Sequence, residues 1–208
     1  METILFINAC LRERSRTKRL ADAALEQYIA EKAACEEATC KKELLTKELK
    51  ANVTRRDLSR FPVAPLDKSG LETRENGGNT GFGGSFFELA KEFSSAGTLL
   101  VAAPYWDLSF PAVLKAYLEA VCVCGLTFCY GEDGLPHSLC KAKRLIYVTT
   151  SGGYIGGMNF GFDYVKGLCK SFFEIDDARF VSAQGLDIDG NDPEMILRDA
   201  IDRLTFDF

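Results

Sequence analysis

The run TLLVAA at residues 98–103 is apolar at every position after its first, and RLIYVTT at residues 144–150 reads as the next strand. A strand with no polar side must be covered on both faces, the habit of parallel sheets flanked by helices. Residues 3–9 and 178–182 read as further strands. Helical spacing fills the intervals between strands. Leu20, Ala24, Leu25, Tyr28 and Ile29 mark a helix through about Ala34, and Phe86, Leu89, Ala90 and Phe93 mark a second. Leu114, Tyr117, Leu118 and Val121 follow Pro111, which suits a first helical turn. Val165, Leu168, Cys169 and Phe172 give another helix. Asp192 and Pro193 cap a last one, with Ile196, Leu197, Ala200 and Leu204 facing inward. Residues 35–75 are charged and carry no clean period, although a second strand is expected near residues 44–50. Pro62 and Pro65 break regular structure, and residues 76–84 read as a flexible Gly-rich loop. Five strands alternating with five helices predict an α/β doubly wound sheet in one domain, residues 1–208.

The 208 residues carry 25 basic and 30 acidic side chains, a net charge of −5, so excess cations to drive nonspecific binding to nucleic acid or anionic membrane are lacking. No apolar run reaches the roughly 18 residues of a membrane span. The one histidine, His137, excludes a multi-His metal site within one chain. Eight cysteines, at positions 10, 35, 40, 122, 124, 129, 140 and 169, fit either disulfides or small reduced hydrophobes. No signal peptide is visible at the N-terminus, so a reducing, cytoplasmic setting is expected. Cys122 and Cys124 form a CxC without a second matched pair, and no metal site is expected.

In sheets of this kind ligands sit beyond the carboxyl ends of the strands. The first such loop holds no glycine, which excludes both a dinucleotide fingerprint and a Walker loop. It offers Ser15, Arg16 and Thr17 at a helix start, ringed by Arg12, Arg14, Lys18 and Arg19. Exposed cations there oppose the helix dipole at a cost of ~0.3–1 kcal/mol each, a sign that a bound phosphate reverses. The same residues also read as a Ser N-cap with a solvated basic face. The second loop, Pro104, Tyr105, Trp106 and Asp107 and on to Pro111, is an aromatic ledge holding the only tryptophan. A flat ring such as an isoalloxazine would cover it, as would a partner subunit or the core itself. The third loop, Thr150, Ser151, Gly152, Gly153 and Tyr154, places hydroxyls before glycines that admit close backbone approach, or else is a mobile turn. Phosphate cradle, aromatic ledge and polar Gly-rich loop together fit FMN.

The segments ILFINAC and SRTKRLA, then AAPYWDLSFPAVLKAYLEAV and GLTFCYGEDGLPHSLCKAKRLIYVTTSGG, resemble the flavodoxin-like NAD(P)H oxidoreductases, the quinone reductase and FMN-dependent azoreductase group. The likeness spans residues 3–34 and 86–206. It implies a flavodoxin-like sheet of order 2-1-3-4-5 with helices on both faces. It also implies noncovalent FMN, NAD(P)H as electron donor, and a homodimer with the site at the interface. The acceptor implied is a flat quinone, azo or nitroaromatic compound. By the same resemblance Ser15, Arg16 and Thr17 hold the phosphate. Pro104, Tyr105, Trp106 and Asp107 flank the ribityl chain and ring, and residues 150–154 meet the pyrimidine edge. The family's early serine is Ala9 here, followed by Cys10. Asp107 stands where many relatives carry Asn, and its carboxylate accepts but does not donate. His137 is expected at a surface turn with no catalytic part. Two alternatives stay open: a single-electron carrier of flavodoxin or iron–sulfur type, and a flavin-binding redox sensor.

Overall fold

The computed structural model describes residues 3–39 and 52–208. Strand β1 (Thr3–Asn8) leads into α1 (Arg16–Thr39), and β2 (Asn52–Asp57) follows. Two short helices, α2 (Lys68–Glu75) and α3 (Gly77–Thr80), and a 3-10 turn at Ser85–Phe87 precede α4 (Glu88–Ser95) and β3 (Thr98–Ala102). Next come α5 (Ala112–Val121), the hairpin strands β4 (Phe128–Tyr130) and β5 (Pro136–Ser138), and β6 (Arg144–Thr150). The chain closes with α6 (Phe160–Phe173), β7 (Asp177–Ala183) and α7 (Pro193–Asp202). Five strands form one parallel sheet in the order β2-β1-β3-β6-β7, so the expected 2-1-3-4-5 pattern holds with the hairpin set aside.

Side chains alternate between two cores across this sheet. Leu5, Ile7, Leu99, Val101, Leu145 and Tyr147 point to the face covered by α4, α5 and α6. Ile4, Phe6, Leu100, Ala102, Ile146 and Val148 point to the face covered by α1 and α7. Polar caps fix where the helices begin. The Ser15 hydroxyl accepts from the Lys18 amide at 3.2 Å, and Asp192 accepts from Glu194 and Met195 at 2.9 and 3.2 Å. Pro193 then takes the first position of α7, where its missing N–H costs nothing.

The sequence expectation for the second strand differs from what is observed. Residues 44–50 lie outside the described residues, and the strand paired with β1 is Asn52–Asp57. It is an edge strand reading NVTRRD, exposed at Asn52 and Arg55 and half-buried elsewhere, so it lacks the apolar run that marks the inner strands. The Gly-rich stretch at residues 76–84 is not wholly a loop, since it carries the single turn α3. The hairpin β4–β5 has strands of three residues each, too short to show a period in the sequence. Among the described residues no helix is long and apolar enough to cross a membrane.

All seven described cysteines are free thiols. Burial pushes Cys10 up to about 11 and Cys140 and Cys169 up to about 12, so these three stay protonated and act as small apolar side chains. Tyr117 on α5 is fully buried, and its hydroxyl has no hydrogen-bond partner among the described residues. Burying that group unpaired is unfavourable by roughly 1–3 kcal/mol. Tyr117→Phe is therefore expected to leave unfolding free energy unchanged or raise it by about 1 kcal/mol in urea titrations. Tyr117→Ala, which leaves a cavity, is expected to lower it by about 3–5 kcal/mol.

Candidate functional site

The chain leaves β1 toward β2 on one side and returns to β3 on the other. The helices after β1 and β3 therefore diverge to opposite faces and leave a crevice at the carboxyl edge. One cleft opens there, lined by residues from four post-strand loops.

The loop after β1 contributes Leu11, Arg12, Arg14, Ser15, Arg16 and Thr17. The Lys18 amide is taken by Ser15, and the Arg19 amide bonds back to the Ser15 carbonyl at 3.1 Å. The amides of Arg16 and Thr17 have no acceptor among the described residues, as the first turn of a helix dictates. Thr17 is buried, and its hydroxyl lies 2.6 Å from that of Thr150. One hydroxyl donates to the other, and the acceptor keeps its own proton for a third group. The Arg16 guanidinium turns to the far wall, donating to the Leu186 carbonyl at 3.1 Å and to Asp187 at 2.6 Å.

The loop after β3 contributes Pro104, Tyr105 and Trp106. The Tyr105 amide donates to the Thr150 carbonyl at 3.1 Å, and its hydroxyl to the Met158 carbonyl at 2.8 Å. Trp106 and Ser109 exchange both backbone hydrogen bonds, at 3.2 and 2.8 Å, across a two-residue turn. That turn puts Asp107 at φ 51° and Leu108 at φ 66°. Two consecutive positive φ values are what a tight primed turn demands. Asp tolerates the left-handed region, whereas leucine rarely enters it. The Arg12 guanidinium lies 6.0 Å from the centre of the Trp106 ring.

The third and fourth walls, after β6 and β7, are laced together. The Ser151 amide donates to the Ala183 carbonyl, the Leu186 amide to the Ser151 carbonyl and the Asp187 amide to the Gly152 carbonyl, at 3.0, 3.1 and 2.9 Å. The Ser151 hydroxyl closes the turn on the Gly153 carbonyl at 2.6 Å. A Cβ on Gly152 would stand 2.5 Å from an Asp187 carboxylate oxygen, while one on Gly153 would meet nothing within 4 Å.

Nine of the twelve residues singled out from sequence line this cleft: Ser15, Arg16, Thr17, Pro104, Tyr105, Trp106, Thr150, Ser151 and Gly152. Asp107, Gly153 and Tyr154 are not among its lining. Asp107 occupies the turn beyond Trp106. Tyr154 is 75% exposed and lines a second groove between β7 and α7. Sequence reading missed Leu186 and Asp187. The rule that picked out the other three loops applies equally to the loop after β7 and would have found them. His137 stands at the opposite edge of the sheet, 3.3 Å from Asp133 and 3.5 Å from Glu174, the residue that ends α6. Among the described residues no group of three or more His, Cys, Asp or Glu is arranged to hold a metal.

The model of a family described by its flavodoxin-like fold matches residues 2–205. The FMN-dependent NADH:quinone oxidoreductase 2 of Clostridium acetobutylicum is 30% identical over 98% of this chain and 96% of its own length. The FMN-dependent NADH:quinone oxidoreductase of Clostridium perfringens is 29% identical, also over 98% of this chain and 96% of its own. Among solved structures, an FMN-dependent NADH-azoreductase from Bacillus anthracis in complex with FMN superposes with a TM-score of 0.75. That likeness covers 98% of this chain and 96% of the other at 23% identity, and carries the fold alone.

The packing at Gly152 sets up a paired test. Gly152→Ala is expected to displace Asp187 from Arg16 and to cost about 1–3 kcal/mol, a drop of several degrees in Tm by scanning calorimetry. Gly153→Ala, with open space for its methyl group, is expected to shift Tm by less than about one degree.

Proposed function

The chain belongs to the family of the flavodoxin-like fold, and from that premise we propose that it is an FMN-dependent oxidoreductase carrying two electrons from NAD(P)H to a flat quinone or azo acceptor. The relatives that align over nearly its whole length are FMN-dependent NADH:quinone oxidoreductases. The observation that carries the reading is one cleft that joins the free amides of a helix start, an aromatic ledge and a hydroxyl-rich turn.

These residues fit a flavin mononucleotide. Ser15, the amides of Arg16 and Thr17 and the cation of Arg14 would hold the phosphate ester, a negative group at a positive helix end. The Arg16 side chain would add little net charge, because Asp187 already neutralises it. Pro104, Tyr105 and Trp106 would support the flat ring. Thr150, Ser151 and the backbone at Gly152 would meet its polar edge. Bound there, FMN supplies the redox chemistry. The chain supplies positioning, and its laced walls keep that position without rearrangement. His137, at the opposite edge of the sheet, has no part in it.

We read the chain as one domain over residues 1–208, working in the cytoplasm as a homodimer with the cleft at the interface. Beside the cleft, Phe110, Phe160 and Tyr164 line a shallow apolar groove. Phe160 and Met158 are more than half exposed, and Leu108 and Tyr164 nearly as much. An apolar patch of this kind on one protomer is suited to burial against another. Sedimentation of the FMN-loaded chain should give a dimer, and Phe160→Asp should shift it toward monomer. A wild-type monomer at micromolar concentration rules the dimer out.

The activity is tested by stopped flow. Mixing the FMN-loaded chain anaerobically with NADH or NADPH should bleach the flavin band, and adding a quinone should restore it. A flavin that neither donor bleaches defeats the proposal.

A further inference from the structure

We propose that Arg12 selects for acceptors that carry an anionic substituent on their aromatic ring. The inference deepens the function just proposed and rests on it. Its starting point is the pairing of the cations between Arg12 and Arg19. Lys18 is held by Asp22 at 2.6 Å, Arg16 by Asp187 at 2.6 Å, and Arg19 by both carboxylate oxygens of Glu194 at 2.8 Å. Arg12 and Arg14 have no carboxylate partner among the described residues, although Glu13 stands between them in sequence. Both are exposed and both line the cleft.

The two free cations occupy different places in it. Arg14 directly precedes Ser15, whose hydroxyl caps α1, and so belongs to the helix start. Arg12 is carried away from that end and lies over the Trp106 ring at 6.0 Å. A guanidinium held above an indole at this distance, with no carboxylate partner among the described residues, keeps its donors free for a carboxylate or sulfonate. Among the described residues, Asp187 is the one carboxylate lining the cleft, and it is already spent on Arg16. Arg12 is thus an unneutralised fork at the edge of the aromatic ledge, where a ring stacked in the cleft would present a charged substituent.

The test uses two probes of nearly equal size, naphthalene-2-sulfonate and naphthalene-2-sulfonamide. Trp106 is the only tryptophan, so intrinsic fluorescence reports binding beside Arg12 directly. On the FMN-loaded chain at low ionic strength the sulfonate should bind about five- to tenfold tighter than the sulfonamide, a preference that shrinks as salt is added. Arg12→Gln should reduce the preference to within about twofold, while Arg12→Lys should retain part of it. FMN affinity, read separately by quenching of flavin fluorescence, should change less than threefold in Arg12→Gln. Equal binding of the two probes to the wild type, or a preference that survives Arg12→Gln, overturns the proposal. So does a tenfold loss of FMN affinity in that variant, which would assign Arg12 to the flavin phosphate. A wild-type chain that does not bind FMN defeats the proposed function instead, and the same probe titration on the flavin-free chain still decides the charge preference of Arg12.

Discussion

Every feature of the cleft depends on the burial of three inner strands on both of their faces. Each of β1, β3 and β6 sends alternate side chains into one core or the other. A slip of one residue would exchange the two sets and put large side chains where small ones fit, so the register is held tightly. Because the register is fixed, the strand ends keep fixed offsets from one another, and the four loops that follow them arrive at one edge with little freedom. The hydroxyl pair of Thr17 and Thr150 is the local expression of that alignment, joining the start of α1 to the end of β6 across 133 residues of sequence.

On this platform the charges are distributed unevenly. A chain of net charge −5 places five of its 25 cations between Arg12 and Arg19 and neutralises three of them with acids from α1 itself, the post-β7 loop and α7. The Arg16–Asp187 pair ties the first wall of the cleft to the last, so its role is more mechanical than electrostatic. The positive potential left over comes from the free amides of the helix start and from the guanidinium groups of Arg12 and Arg14. An anion entering the cleft meets directed donors, with no diffuse cloud of charge around them.

The parts of the fold that were legible in sequence are those whose environment is one-sided or uniform. RLIYVTT could be read as β6 because every position from Leu145 onward is buried. NVTRRD could not be read as β2, because an edge strand meets solvent and its arginines are held by ion pairs with Asp22 and Glu92 and need no apolar packing. The site followed the same logic. Serine at a helix start, a tryptophan ledge and paired glycines are local signals, and they led to nine cleft residues. Asp187 left no such mark. It is one acidic residue among several in its segment, and its importance lies in a contact with Arg16, 171 positions away. Tyr154 belongs to the same Gly-rich segment, but it is largely exposed and lines the groove between β7 and α7 instead of the cleft.

The turn at Asp107 and Leu108 bears on which sequences can occupy this position. With φ at 51° and 66°, the backbone filters side chains before any ligand does. Asparagine, aspartate and glycine pass that filter most easily, since their small or locally bonding side chains tolerate left-handed geometry. An exchange of Asn for Asp at residue 107 therefore lies along a path of least conformational resistance. The carboxylate itself lies outside the cleft lining, so such an exchange changes the charge beside the ledge while leaving the placement of Trp106 intact. The identity of residue 107 is thus set first by the turn, before any acceptor bears on it.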